Sequence, residues 1–292
     1  MDFNLGLSSF ESNIAGVRNL INFALESKLP TPPRFIFVST VAVVVRESGL
    51  TSSRCISVFS WPSTVTKTSG LIPEESAAPE SATVNGYSQS KWVSERILEV
   101  AAERTSLCPV VVRVGQVSGG ANGSWNPLEW IPGIVQSVAL TKSLPSLRKV
   151  ISLLPLQACA QALAQALGAQ KTPLALYLHL VNPTPSQWDD VFDYIAKKLD
   201  VPLVSYPEWL SKLKEASTTV KNAQEHSALR LLEFYGSLTR GTGSEAGGLP
   251  SCNTEVTRGV CPVLNGEGSR DVKGEEIQKW LDYWKSLGLL KF

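Results

Sequence analysis

The chain has 292 residues, long enough for one large α/β domain or two small ones around a substantial core. Its 27 Lys and Arg against 26 Asp and Glu leave a net charge of +1 with no basic run, so nothing favours nucleic-acid or anionic-membrane binding. The five cysteines (Cys55, Cys108, Cys159, Cys252 and Cys261) include no Cys-x-x-Cys pair and no neighbouring His; no metal site is expected, and reduced thiols in a cytoplasmic compartment are.

At the N-terminus, Met1-Asp2-Phe3-Asn4 has no basic segment and Glu11 interrupts the apolar stretch behind it, which argues against secretion. No window approaches the ~18 apolar residues of a membrane helix, so a soluble protein is expected. Ile14, Val17, Leu20, Ile21, Ala24 and Leu25 recur at helical spacing and predict an amphipathic helix from about Ser9 to Ser27, closed by Pro30, Pro32 and Pro33. The run Arg34-Phe35-Ile36-Phe37-Val38 predicts a strand buried on both faces. From Arg46 to about Leu71 the chain is Ser/Thr-rich and aperiodic, a long surface insertion that slow growth of loop-closure entropy tolerates.

A second helix is predicted from Tyr87 to about Arg104, with Trp92, Val93, Ile97, Leu98 and Val100 at its apolar positions. Pro109–Val114 and Ala175–Val181 read as two further strands, the last ending at the turn Asn182-Pro183. Helix and strand in this alternation predict βαβ units and a parallel sheet. Helices are expected around 128–140, 156–167, 187–199, 207–216, 227–238 and 273–287, with a Gly-rich loop or disordered stretch from Gly241 to Gly268. His179 and His226 are isolated and read as structural. Trp130, Trp188 and Trp209 read as core residues around a substrate region.

The chemistry-bearing signal is Tyr87-Ser88-Gln89-Ser90-Lys91, in which Tyr and Lys at i and i+4 share one helix face. A phenol with a reference pKa near 10 exchanges protons poorly at neutral pH, and a nearby ammonium draws that value down. Such a pair serves as a general acid toward a carbonyl oxygen. Ser39 and Thr40 follow the predicted strand at 34–38, where sites in open α/β sheets are built, and a hydroxyl there can donate to the same oxygen. On their own, the Tyr-Lys spacing and the Ser-Thr turn also occur as a solvated helix face and a turn cap.

Three segments occur in one order: Phe35-Ile36-Phe37-Val38-Ser39-Thr40, then Gly86-Tyr87-Ser88-Gln89-Ser90-Lys91-Trp92-Val93-Ser94-Glu95, then Val112-Arg113-Val114-Gly115-Gln116-Val117-Ser118-Gly119. In that order they resemble extended short-chain dehydrogenases/reductases. The Gly-Tyr-x-x-Ser-Lys-Trp-x-x-Glu form and the Arg-x-Gly-Gln are similar to the thioester reductase domains that end fungal nonribosomal-peptide-synthetase-like and aminoadipate-reductase-type enzymes. Asn13-Ile14-Ala15-Gly16-Val17-Arg18-Asn19-Leu20 and His179-Leu180-Val181-Asn182-Pro183 with Trp188-Asp189-Asp190 resemble further segments of those domains. The likeness covers most of 1–235 and is weak across 46–71 and 241–270.

The resemblance implies Thr40 as the catalytic Ser/Thr with Ser39 beside it toward the cofactor, Tyr87 as proton donor, and Lys91 on the nicotinamide ribose. It implies Asn13 as a supporting residue and Gln116 near the nicotinamide. It also implies NADPH as cofactor and an acyl or peptidyl carrier-protein thioester as substrate, reduced to an aldehyde. The family opens with a strand, a Gly-rich turn and a helix that receives the pyrophosphate. No Gly-x-x-Gly-x-x-Gly follows a strand near the start here. The chain is therefore expected to be N-terminally truncated by three or four βα units, with a Rossmann-like parallel sheet lacking its first strands. Residues 1–120, with a strand from 173–183, are expected to form the C-terminal half of an NAD(P)-binding domain. Residues 121–292 are expected to form a mostly helical substrate or carrier region, loop or disordered over 241–270. Two other readings remain open: an inactive or non-catalytic fragment, and another extended reductase acting on a sugar nucleotide or hydroxyl substrate.

Overall fold

The apolar spacing near the start of the chain produces α1 (Glu11–Leu25), in a computed structural model that describes residues 5–30, 32–44, 70–82, 85–169, 177–220, 226–238, 243–266 and 269–290. Helix α1 buries Val17, Ile21 and Ala24, while Leu20 stays exposed. Strand β1 (Phe35–Thr40) follows, and then the aperiodic stretch 46–71, which lies outside the described residues except for its last two. Helix α2 (Gly86–Arg104) starts at a reciprocal cap: Asn85 Oδ1 accepts the Ser88 N–H at 2.8 Å and the Ser88 hydroxyl answers the Asn85 N–H. Strands β2 (Pro109–Val114) and β3 (Gln116–Val117) come next.

The helix expected over 128–140 is two helices, α3 (Trp130–Gln136) and α4 (Val138–Thr141). At the break the Ser137 hydroxyl donates to Ile134 O and accepts the indole N–H of Trp209 at 2.9 Å. Short strands β4 (Leu144–Ser146), β5 (Val150–Ile151) and β6 (Leu153–Leu154) lead to α5 (Leu156–Gly168), β7 (Tyr177–Leu180) and β8 (Ser186–Gln187). Helix α6 (Trp188–Leu199), strand β9 (Leu203–Ser205) and helices α7 (Tyr206–Thr219), α8 (Ser227–Arg230), α9 (Leu232–Leu238), α10 (Glu255–Val260) and α11 (Gly274–Ser286) complete the chain.

Three strands form a parallel sheet in the order β1-β2-β7, as the alternation of helix and strand requires. Strand β2 is buried throughout its first five residues. Strand β1, expected to be buried on both faces, is half-buried at Phe35, Ile36 and Phe37 and exposed at Val38, because it is the outer strand of the described sheet. Side chains alternate between the two faces. Val111 and Tyr177 meet α1 and α2, whereas Val110, Val112, Leu178 and Leu180 meet Ala158, Ala162 and Ala166 of α5.

The described part of the stretch 241–270, expected as loop or disorder, holds α10 and buries Ala246, Thr257, Cys261 and Leu264. A distant carboxylate completes the start of α10. Glu74 Oε2 accepts the Val256 N–H at 2.7 Å and Oε1 the Thr257 N–H at 3.0 Å, satisfying donors that the first turn of α10 leaves open. Trp188 and Trp209 are wholly buried, and Trp130 nearly so, in a third core built from α3, α6, α7 and α11. Among the described residues no helix is long and apolar enough to cross a membrane.

Candidate functional site

Strand β1 ends in Ser39-Thr40, and α2 returns across that end. The Lys91 ammonium donates to Val38 O at 2.7 Å and lies 4.7 Å from the centre of the Phe37 ring. An ammonium carries three donors, of which this bond uses one. The centre of the Tyr87 ring lies 5.8 Å from the same nitrogen, so Tyr87, Lys91 and the end of β1 come together. Thr40 is half-buried, and its Oγ1 accepts the Ala42 N–H at 3.2 Å. That turn bond occupies a lone pair and leaves the hydroxyl hydrogen free to donate.

Burial pushes the Tyr87 phenol above its usual value, so it stands protonated at neutral pH. The downward pull expected from Lys91 is not what governs it. Lys91 is pulled down by burial, and the Glu95 carboxylate works against that shift. The turn of α2 that carries Tyr87 is approached closely by the chain ahead of α1. A Cβ on Gly86 would stand 2.4 Å from the backbone of Leu5 and Gly6, so only glycine admits this crossing. Phe10 lies beside Tyr87, with ring centres 6.1 Å apart.

The other expected site residues lie elsewhere. Ser39 is 3% exposed and turned toward α2, where its hydroxyl donates to Glu95 Oε1 at 2.5 Å. Asn13 is exposed on α1. Gln116 stands past the end of β2, bonded to Trp130 Nε1 at 2.6 Å and to Glu129 at 3.3 Å, and so belongs to the entry of α3.

Sequence reasoning did not find a buried polar rung beneath the site. Ser39 pairs with Arg113 and Arg113 with His179 across β1, β2 and β7, so all three side chains share one face of the sheet. Glu95 of α2 caps the rung. It receives Arg113 Nη2 at 2.7 Å and Nε at 3.1 Å, with both residues at most 1% exposed. Arg113 Nη1 donates to Glu75 O at 2.8 Å and meets His179 Nε2 at 3.2 Å. Facing a guanidinium, Nε2 must accept, which leaves Nδ1–H to donate to Asn253 O at 3.1 Å. The available signal was the lone Arg113 in a valine run and the Glu that closes the α2 motif.

His179 stays neutral, pushed down to about 3 by burial and by the Arg113 guanidinium. Its unfolded value is 6.5, so as pH falls through 6.5 toward 3 the unfolded chain takes up a proton that the native chain refuses. Native stability is therefore lost across that window. Glu74, raised by burial, acts in the opposite sense, so the test is a difference between two proteins. Between about pH 6 and pH 4, urea unfolding of the wild type should lose roughly 1.4 kcal/mol per pH unit more than His179→Gln. Parallel pH profiles for the two would show that His179 is protonated in the native state.

Comparison with known proteins adds the relatives. A sequence model of an NAD-binding family, described as Male sterility protein, matches residues 7–163. The chain is 31% identical over 300 residues to the adenylate-forming reductase Nps10 of Heterobasidion annosum, covering 99% of this chain and 26% of that protein. It thus spans about a quarter of the length of the curated relatives it matches. Among solved structures, the terminal R domain from the myxalamid PKS-NRPS pathway superposes with a TM-score of 0.73 at 23% identity, over 100% of this chain and 67% of that one. The reductase domain of a nonribosomal peptide synthetase from Mycobacterium tuberculosis gives 0.68 at 21%, over 96% and 66%. The fold is the Rossmann-like fold of these reductase domains.

Proposed function

We propose, on the premise that this chain belongs to the Male sterility protein family, that it carries the proton-donating half of an NADPH-dependent reductase acting on a carrier-bound acyl thioester. The observation that carries the reading is the bond from Lys91 to Val38 O, which seats the Tyr87–Lys91 turn of α2 at the carboxyl end of β1 beside Thr40. In open α/β folds that edge of the sheet is where ligands bind. The curated relative named an adenylate-forming reductase supports the same direction.

The residues present fit the nicotinamide-ribose end of such a cofactor. Lys91 has donors to spare beyond its bond to Val38 O and would hold the ribose hydroxyls. Among the described residues no Gly-x-x-Gly-x-x-Gly turn joins a strand to a helix, so the phosphate end has no cradle there. When bound, the cofactor supplies the hydride that reaches the thioester carbonyl carbon. Thr40 and Tyr87 donate hydrogen bonds to the carbonyl oxygen as charge gathers on it. Tyr87 then gives that oxygen its proton, and the hemithioacetal releases thiol and aldehyde. Ser39, bonded to Glu95, acts from behind the site.

The test is to mix the protein with NADPH and an acyl-pantetheine thioester and to follow nicotinamide absorbance, free thiol and trapped aldehyde together. Equal loss of NADPH and gain of thiol and aldehyde is the expected result. Saturable NADPH binding without thioester turnover would overturn the substrate assignment. No binding of NADPH or NADH would overturn the reductase reading for this polypeptide.

A further inference from the structure

We propose that Glu95 is the positioning residue of this site, holding the strand that carries Thr40 and the helix that carries Tyr87 and Lys91 in one fixed relation. The proposal rests on the reductase reading above, because that reading gives Thr40, Tyr87 and Lys91 their roles.

The three proposed site groups come from two elements, and a donor pair works only if those elements keep their relative height and rotation. Glu95 lies four residues after Lys91 and eight after Tyr87, on the stripe of α2 that faces the sheet. Its carboxylate grips both neighbouring strands at once. One oxygen takes the hydroxyl of Ser39, the residue immediately before Thr40, and the other takes Nη2 of Arg113 from the middle strand. Because Ser39, Arg113 and His179 are register partners, sliding β1 by one residue would turn Ser39 to the other face and break the rung.

A bare structural ion pair would be a poor bargain at this depth, since apolar replacements of buried pairs are often neutral or stabilising. This pair does something an apolar pair cannot. It fixes β1 against α2 by directional bonds one residue from Thr40 and one helical turn from Lys91. It also places a negative charge on the Lys91 side of the helix, where that charge opposes the effect of burial on the ammonium. The groups that face Lys91 are Phe37 and the Val38 carbonyl from β1, and Tyr87 and Glu95 from its own helix. Arg113 closes the charge balance and hands the two hydrogens of Nη1 to Glu75 O and the neutral His179.

Three variants of the intact protein test this. Ser39→Ala removes the strand's tie and leaves the Glu95–Arg113 pair whole. Glu95→Gln removes the charge. Glu95→Gln with Arg113→Met removes the pair without stranding either member, so it should fold where the single change fails. The readouts are kcat and KM over pH in the thioester assay, and the pH dependence of Lys91 acylation by an amine reagent, followed by mass spectrometry. The second readout needs no turnover, so an inactive wild type would sink the reductase reading while the positioning proposal is still judged.

Ser39→Ala should lower kcat roughly 10- to 100-fold with KM for NADPH little changed, and Ser39→Thr should restore it. In Glu95→Gln the midpoint for Lys91 acylation should move to lower pH, and in the double variant, which loses both charges, it should move less. A folded Glu95→Gln protein whose Lys91 midpoint matches the wild type would overturn the proposal. So would a Ser39→Ala protein with wild-type kcat and pH profile.

Discussion

Tyr87→Phe should reduce thioester-dependent NADPH oxidation by about 10²- to 10⁴-fold, the range that one positioned proton donor contributes. The substitution removes a hydroxyl and keeps the ring, so the packing against Phe10 survives. Thermal unfolding run beside the assay separates loss of the donor from any change in stability. Burial holds the Tyr87 phenol protonated, so the wild-type rate should fall only at alkaline pH, as the donor is lost. The variant should lack that alkaline limb. Tyr87→Phe activity close to wild type would remove Tyr87 from the mechanism and leave Thr40 as the donor at the carbonyl oxygen.

The second large effect is on stability. Trp188 opens α6, is wholly buried, and lies flat on Phe192 with ring centres 3.9 Å apart and planes 9° apart. Its other face meets Trp130 at 5.8 Å and 15°, and its indole N–H donates to Pro145 O at 2.8 Å. Trp188→Ala removes the ring, opens a cavity between two aromatic neighbours and leaves a buried carbonyl without its partner. The expected cost is about 3–5 kcal/mol, seen as a urea midpoint shift and a Tm lower by on the order of 10 °C. Trp188→Phe should cost less than half as much. A change below about 1 kcal/mol for Trp188→Ala would mean that this aromatic core is not part of the cooperative unit.

Much of the frame was legible because it obeys periodicity. Helix α1, strands β1, β2 and β7, and helix α2 stand where apolar spacing and short β-rich runs put them, and the Tyr-Lys pair and the Ser-Thr turn meet at one edge of the sheet. Helix breaks were not legible. Helices α3 and α4 part at Ser137, whose hydroxyl takes the Trp209 indole, a tertiary bond that no local pattern encodes, and α8 and α9 part at Leu231. The buried face of α2 was also misread. Its first half hides Ser88, Ser90, Ser94 and Glu95, whereas the apolar Val100 faces outward. The polar rung escaped notice for a topological reason: Ser39, Arg113 and His179 are neighbours only after three parallel strands have been brought together from distant parts of the chain.

Glu74 carries a consequence in the order of folding. Helix α10 has six residues, too few to persist alone in water. Its first-turn donors are completed by a carboxylate 182 and 183 residues earlier in the chain, which also accepts the His179 N–H of β7. Closing a loop of that size costs chain entropy before any bond rewards it. Helix α10 is therefore expected to consolidate after the sheet, as a late clasp, once pairing of β1, β2 and β7 has brought Glu74 beside His179.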